Sequence, residues 1–194
     1  METKYDKVKT AVDFLLCLII LPFVLVVIIV FSLLIVLDSK GSPFFKQERV
    51  GLGGKKFMIY KLRTMRLDAE RLGAKWAEKE DDRITRLGKF LRKTRIDELP
   101  QIINILKGDM HIIGPRPERE IFINEFLKTI PNFNDRLLVK PGITGLAQVN
   151  GGYEISPEEK LKYDLEYIEK RSFKLDIEIA IKTFSVIITG EGAR

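Results

Sequence analysis

Residues 14–37 read FLLCLIILPFVLVVIIVFSLLIVL, a run of 24 residues without a charge. A helix that crosses the hydrocarbon core of a bilayer needs roughly 20 apolar residues, so this segment is long enough to span one. A secretion signal has a shorter apolar core of about 7–15 residues followed by a small-residue cleavage site, which is absent here. The run therefore predicts a membrane-embedded part, residues 1–40, and a water-soluble domain, residues 41–194.

Pro22 interrupts the apolar run near its first third. Proline removes a backbone donor and displaces the carbonyl one turn back, so a bend is expected there. The helix could then span the bilayer with a bend, or turn at Pro22 and return to the side from which it came. The residues alone slightly favour spanning, with the basic body in the cytoplasm.

Composition limits the class of protein. The chain has 194 residues and a net charge of +6, and residues 38–115 carry 18 bases against 11 acids. This basic middle third favours partners that carry phosphate, such as nucleotides, lipid headgroups or nucleic acids. The single cysteine, Cys17, excludes an internal disulfide, and the single histidine, His111, excludes most histidine-based metal sites and serine–histidine–aspartate catalysis.

Alternating hydrophobicity predicts two short strands, residues 44–50 and 55–62, joined by a glycine-rich turn at 51–54. Phe44 and Phe45 suit a membrane interface. Helices are predicted at 120–127, at 157–171 after a capping box that starts at Ser156, and at 175–188. Residues 131–152 read as irregular, and 65–79 as charged and helix-prone. The predicted fold class is α/β, mainly helical with a small β-hairpin.

Residues 82–93 combine apolar side chains at helical spacing with five basic ones. Such a helix can lie on an anionic lipid surface. It can equally be an ordinary surface helix whose apolar stripe faces the core. The sequence gives the two interpretations about equal weight.

Residues 95–101 read RIDELPQ, two adjacent acids after a basic run. Asp97 is expected to cap the helix that follows, and a helix N-terminus favours an ionised carboxylate. An ionised carboxylate beside Arg95 is suited to nucleophilic attack on a phosphate ester. Capping alone is the commoner reason for acids at this position, so the catalytic role needs further support.

Arg116 lies between Pro115 and Pro117, which fix the backbone on both sides. A guanidinium held in this way suits bidentate phosphate binding, although a plain surface loop is the more frequent explanation. Lys61 and Arg63 end the second predicted strand on one face and form a second candidate phosphate clamp. No Walker-type loop and no glycine-rich dinucleotide fingerprint is present.

Six segments in order resemble the bacterial sugar transferase family, the monotopic phosphoglycosyl transferases. They are Gly41–Gly51, Phe57–Met65, Arg83–Gly88, Arg95–Gln101, Gly108–Glu118 and Lys140–Gly151. Each segment alone is weak, but six in order are specific, and the resemblance extends over almost the whole chain.

The resemblance implies transfer of a sugar 1-phosphate from a UDP-sugar to undecaprenyl phosphate with release of UMP, the first membrane step of capsule, exopolysaccharide or O-antigen assembly. It implies that Asp97 forms an aspartyl phosphosugar, that Glu98 assists the acceptor or the metal, and that Mg²⁺ bridges Asp97 and the pyrophosphate. The candidate substrate and phosphate contacts are Lys61, Arg63, Arg95, Pro115, Arg116 and Gln148.

The resemblance also implies a re-entrant helix broken at Pro22, interfacial amphipathic helices, and a catalytic domain on the cytoplasmic face of the bacterial inner membrane, in contact with anionic lipids. Leu21 and His111 stand where the family often has serine. Lys9 alone precedes Asp13, where the family tends to have two adjacent bases.

The competing hypothesis is a non-catalytic membrane-surface adaptor that binds anionic lipids through residues 83–95. Nucleic-acid binding is not expected, because aromatic residues are not interleaved with the basic run. The sequence does not identify the sugar and leaves the oligomeric state open, with a homodimer as one option.

Overall fold

The computed structural model describes residues 3–69, 71, 81–151 and 155–189, so most of the helix expected at 65–79 lies outside the described residues. In chain order its elements are α1 Lys4–Asp38, β1 Phe44–Val50, β2 Lys56–Leu62, α2 Arg86–Thr94, α3 Ile102–Leu106, β3 His111–Ile113, α4 Glu120–Phe126, β4 Gly142–Thr144, α5 Leu146–Asn150, α6 Pro157–Lys170 and α7 Phe173–Thr189. Short 3₁₀ helices cover Leu52–Gly54, Ile96–Gln101 and Phe133–Leu138. The prediction of a mainly helical fold with small sheets is confirmed.

Helix α1 is the one described helix that is long and apolar enough to cross a membrane. It has 35 residues and is helical throughout, including Pro22, so no break in the helix accompanies the proline. At about 1.5 Å per residue it is roughly 50 Å long, well beyond the thickness of a hydrocarbon core. Re-entry at Pro22 stays a prediction.

One face of α1 packs along the soluble body. Its buried residues recur at separations of four or seven, which places them in one stripe; they are Lys9, Asp13, Cys17, Val24, Ile28 and Ile35. The apolar members share a core cluster with buried residues of β2, α2 and α3. Most other apolar side chains of α1 are exposed, including Ile19, Phe23 and Leu37.

Strands β1 and β2 form the expected antiparallel hairpin, in which Phe45 pairs with Lys61 and Gln47 with Ile59. The side chain of Asn104 binds the backbone of β2, accepting from the Tyr60 N–H at 3.3 Å and donating to the Met58 carbonyl at 2.7 Å. The hairpin is thereby held against the segment that carries Asp97 and Glu98.

Helix α2 covers most of residues 82–93, for which the sequence allowed either a helix on a lipid surface or an ordinary surface helix. It begins later than expected, after Thr85, whose hydroxyl accepts from the Gly88 N–H at 2.9 Å. Leu91 is fully buried in the main core, and Ile84 is also buried. Leu87 and Leu91 therefore face the protein, as in an ordinary surface helix, whereas Phe90 is exposed and stacks on Phe31 of α1. Contact of α2 with a lipid surface stays a prediction.

The prediction that Asp97 caps a helix was wrong. Arg95 adopts a left-handed conformation (φ 59°) that ends α2 and starts the 3₁₀ helix, so Asp97 lies inside the 3₁₀ helix. Residues 131–152 were wrongly read as irregular. They contain a 3₁₀ helix, α5 and strand β4, which pairs in parallel with β3. The capping box at Ser156 and the helical prediction for 175–188 are confirmed.

Candidate active site

A pocket of about 380 Å³ lies between the hairpin, the 3₁₀ helix that carries the two acids, and the turn before α4. The candidate site residues that line it are Lys61, Arg63, Arg95, Asp97, Glu98, Arg116 and Gln148. Pro115 is next to Arg116 in the turn and is not among the lining residues. Residues distant in sequence are thus brought together as the motif analysis predicted.

Glu98 is buried and saturated with cationic donors. Its Oε1 accepts from Lys61 Nζ at 2.7 Å and from Arg116 Nη2 at 2.5 Å. Burial opposes ionisation, but the charges of Arg116 and Lys61 outweigh it and hold the pKa of Glu98 well below its usual range. A carboxylate in this state is a poor general base, and its chief effect is to fix two cations at the pocket wall.

Asp97 is in the opposite situation. It is buried, and no hydrogen-bonded or ion-paired partner occurs for its carboxylate in the described part of the chain. Burial, followed by the charge of Glu98, raises the pKa of Asp97 to about 6, while Lys61, Arg92 and Arg116 act in the opposite direction. At neutral pH the group is therefore mainly ionised, weakly solvated and close to several cations, which suits a carboxylate nucleophile.

The structure adds Thr64, which the sequence analysis did not select, and places it beside Arg92 of the basic run that precedes Asp97. Arg92 Nε donates to Thr64 Oγ1 at 2.9 Å, and both residues line the pocket. Gly88 makes this arrangement possible, because a Cβ there would lie 2.1 Å from the Thr64 carbonyl oxygen. The sequence signal for Arg92 is its place in the run of basic residues that precedes Asp97 and Glu98.

The guanidinium of Arg63 binds backbone carbonyls at the end of α1. Its guanidinium donates to the Ser39 carbonyl at 2.7 Å and to the Lys40 carbonyl at 2.8 Å. The last turn of α1 contains no basic residue of its own, so Arg63 supplies the positive charge that a helix C-terminus favours. Its role as a phosphate contact stays a prediction, whereas its link between the membrane-associated helix and the pocket is observed.

The proline-flanked turn is held rigidly by the pairing of β3 with β4. The Gly114 N–H donates to the Thr144 carbonyl at 2.9 Å, and the Gly142 N–H donates to the Pro115 carbonyl at 2.9 Å. A Cβ at Gly142 would lie 2.1 Å from the Gly114 nitrogen, so the backbones approach too closely for a side chain. The backbone from which the Arg116 side chain extends is therefore held in a fixed position.

Gln148 follows on α5, one turn beyond β4. Both polar atoms of its carboxamide are buried and have no hydrogen-bond partner among the described residues. A buried unpaired amide group costs roughly 1–3 kcal/mol, and such groups are uncommon in folded proteins. A substrate hydroxyl or amide would satisfy it.

A buried ionic network that borders the pocket was also missed. Glu118 pairs with Lys160, Arg49 and Arg136, and Arg136 binds Asp164 at 2.6 Å. Arg136 Nη2 also donates to the Arg116 carbonyl at 2.8 Å, so the network supports the turn that carries Arg116. Its members are dispersed between residues 49 and 164, and no local pattern could have connected them.

The carboxylate oxygens at this site could hold a magnesium ion only together with phosphate oxygens of the substrate. Among the described residues no group of three or more histidine, cysteine, aspartate or glutamate side chains could hold a metal ion. Mg²⁺ is usually held by one or two carboxylates together with substrate phosphates and water. Asp97, whose carboxylate is unpaired, meets that requirement, and Glu98 does not because its oxygens already bind cations.

The model of the bacterial sugar transferase family matches residues 4–190. The chain belongs to the bacterial sugar transferase family.

Curated relatives agree with this assignment. The chain is 44% identical over 193 residues to a UDP-N-acetylgalactosamine-undecaprenyl-phosphate N-acetylgalactosaminephosphotransferase of Aeromonas hydrophila, covering 98% of this chain and 46% of the relative. It is 46% identical over 153 residues to a UDP-glucose:undecaprenyl-phosphate glucose-1-phosphate transferase of Xanthomonas campestris, covering 76% and 32%. A transferase of the same description from Caulobacter vibrioides is 40% identical, covering 84% and 62%. The chain thus spans about a third to two thirds of these relatives.

Proposed function

We propose that this member of the bacterial sugar transferase family transfers a sugar 1-phosphate from a UDP-sugar to undecaprenyl phosphate and releases UMP. The observation that carries the proposal is the buried, unpaired carboxylate of Asp97 in a pocket lined by cations. The named relatives act on undecaprenyl phosphate, and they differ in the sugar that they transfer. The proposal therefore leaves the sugar open.

In the first step, a carboxylate oxygen of Asp97 attacks the phosphorus that bears the sugar. The bond from that phosphorus to the bridging oxygen breaks, and its electron pair leaves with UMP. In the second step, an oxygen of the lipid phosphate attacks the same phosphorus and displaces Asp97, which recovers its charge. No proton has to be transferred in either displacement, which agrees with a site that has cations and no free general base.

The cations position the donor and neutralise charge in this scheme. Lys61 and Arg116, fixed by Glu98, would contact oxygens of the pyrophosphate, and Arg92 and Arg95 lie close enough to the acids to influence their ionisation. Fixed charges of this kind stabilise phosphoryl transfer more effectively than mobile ones, because they need no reorganisation during the reaction. Mg²⁺ at Asp97 would supply further neutralisation of the pyrophosphate.

We also propose that α1 enters and leaves the membrane on one side. Both of its ends bind the same folded body: Lys9 Nζ is 2.8 Å from Asp176 Oδ2, Asp13 accepts from the Ile112 N–H at 3.1 Å, and Arg63 holds Ser39 and Lys40 at the other end. A helix that spans the bilayer would place these ends on opposite sides. The exposed apolar face of α1 would then lie in one leaflet, with the body on the cytoplasmic side.

Membrane-impermeant thiol labelling tests this topology with single cysteines at Lys7 and Lys40, both exposed positions near the two ends. We expect neither cysteine to react in intact cells and both to react after lysis. Reaction of one of them from outside would contradict re-entry and support spanning. We also propose that the protein contacts anionic lipids and that it forms a homodimer.

The catalytic proposal is tested by incubating the purified protein with a UDP-sugar labelled in the sugar, followed by an acid quench. We expect label on the wild-type protein and none on Asp97→Asn, because an amide cannot form the aspartyl phosphosugar. Asp135→Asn, an exposed site outside the pocket, is the matched control and should label normally.

Turnover by Asp97→Asn near the wild-type rate would exclude the covalent scheme. The competing adaptor function predicts no UMP release by the wild type and unchanged liposome binding when both acids are neutralised. The relatives named as transferases do not favour it.

A further inference from the structure

The pocket is lined by two chemically different sets of side chains. Arg116, Gln148 and Lys160 are among its polar residues. Phe44, Phe45, Met65 and Leu67 are apolar lining residues, and they belong to the start of β1 and to the segment after β2. A nucleotide sugar has no hydrocarbon that would match this apolar set.

One of these apolar residues, Phe45, lies beside the catalytic groups. Phe45 pairs with Lys61 across the hairpin, and directly paired residues of an antiparallel ladder lie on the same face. Lys61 in turn binds Glu98 at 2.7 Å. Phe45 therefore stands beside the cation that is fixed next to Asp97, and 37% of its surface is exposed.

A second apolar lining residue, Leu67, lies next to the end of α1. Leu67 is 71% exposed and packs close to Gly41, where a Cβ would lie 2.7 Å from Leu67 Cδ1. Gly41 follows directly after the end of α1 that Arg63 holds, and Leu37 in the last turn of that helix is 83% exposed. An exposed apolar side chain of the pocket lining is therefore close to the point where the apolar helix ends.

We propose that the hydrocarbon chain of the lipid phosphate acceptor lies on Phe45 and Leu67, so that the acceptor approaches from the end of α1. The inference rests on the proposed function and deepens it by assigning the acceptor chain to two apolar lining residues. The phosphate of the acceptor would then reach Lys61, and the exposed Arg66 is also part of the pocket lining. The nucleotide sugar would use the polar lining residues.

The experiment compares the wild type with the double variant Phe45→Ala/Leu67→Ala in detergent. The acceptors are undecaprenyl phosphate and dimethylallyl phosphate, which has a single isoprene unit. We expect kcat/KM for the long acceptor to fall about tenfold or more, because two apolar contacts with the chain are removed. For the short acceptor, and for UMP release in a single turnover without acceptor, we expect less than a threefold change.

Two further variants make the result specific. Phe45→Leu keeps an apolar side chain and should retain most of the preference for the long acceptor. Leu138→Ala removes an equally exposed leucine outside the pocket and should leave both acceptors unaffected. Because Phe45 is only 37% exposed, thermal unfolding of every variant is measured as well, and the rates are compared at a temperature at which all of them are folded.

An equal loss with both acceptors, a parallel loss of UMP release, or no loss at all would overturn the proposal. Sedimentation with vesicles of phosphatidylethanolamine and phosphatidylglycerol separates the acceptor from bulk lipid. A fall in vesicle binding as large as the fall in kcat/KM would show that these residues contact the bilayer instead, and would also overturn it. A wild type that releases no UMP would refute the proposed function itself.

Discussion

Replacing Glu98 with glutamine tests whether this residue organises cations. The substitution keeps the size of the side chain but removes the charge that binds Lys61 Nζ at 2.7 Å and Arg116 Nη2 at 2.5 Å. Because the pKa of Glu98 is held well below its usual range, its ionised form stabilises the folded protein above that range and loses this contribution only in acid. At neutral pH the substitution should therefore destabilise the fold.

The expected magnitude follows from burial of the ion pairs. Removing one partner of a buried pair costs about 3–5 kcal/mol, and at the lower value the melting temperature of a domain of this size falls by about 6–12 °C. Thermal unfolding of the detergent-solubilised protein, followed by intrinsic fluorescence at pH 7.5, measures this change. Aspartyl labelling should also slow, because Lys61 and Arg116 are no longer fixed.

Glu48→Gln is the matched control. Glu48 is 3.4 Å from Lys56 on the exposed outer edge of the hairpin, where an ion pair contributes about 0.5 kcal/mol or less. Its melting temperature should change by no more than about 2 °C. If Glu98→Gln melted at or above the wild-type temperature, the view that the two cations depend on Glu98 for their position would be refuted.

Two further predictions concern Asp97 and Arg63. In the proposed scheme ionised Asp97 is the attacking form, and its pKa is raised to about 6, so the single-turnover rate of UMP release should fall about tenfold per pH unit below 6; a rate that stayed flat to pH 5, with the fold intact by circular dichroism, would contradict this assignment. Arg63→Met removes the cation that binds the carbonyls of Ser39 and Lys40, so it should lower stability by about 2–3 kcal/mol and shift acceptor KM more than donor KM. Arg63→Lys should restore part of both, and an Arg63→Met protein with normal stability would show that the end of α1 needs no partner.

Local patterns predicted the larger elements of this fold. The hairpin follows from alternating hydrophobicity on both sides of a glycine-rich turn, and α6 from the capping box at Ser156. These signals act over a few residues, so they can be recognised in the sequence without knowledge of the tertiary contacts. The pairing of β3 with β4 involves three residues from each strand, separated by a long stretch of chain, and no short-range pattern indicates it.

The sequence analysis selected the members of the candidate site but not its geometry. The motifs selected Asp97, Glu98, Lys61 and Arg116 as candidates, and all four line one pocket; their catalytic and binding roles stay predictions. The left-handed residue Arg95 could not be foreseen, because arginine rarely adopts that conformation and tertiary contacts must hold it there. Glu98 binds Lys61 and Arg116, whereas the carboxylate of Asp97 has no partner among the described residues. This difference likewise depends on residues that are far away in sequence.

The attachment of α1 to the body at both ends has a consequence for the bilayer. The distance from Asp97 to the exposed apolar side chains of the helix is set by protein–protein contacts at Lys9 and Arg63, and a thicker or thinner membrane would not alter it. In the proposed one-sided topology, lipids would adjust around the protein, and Asp97 would stay at one height relative to the headgroups. Mismatch would be absorbed by local deformation of a single leaflet, and the pocket would keep its shape.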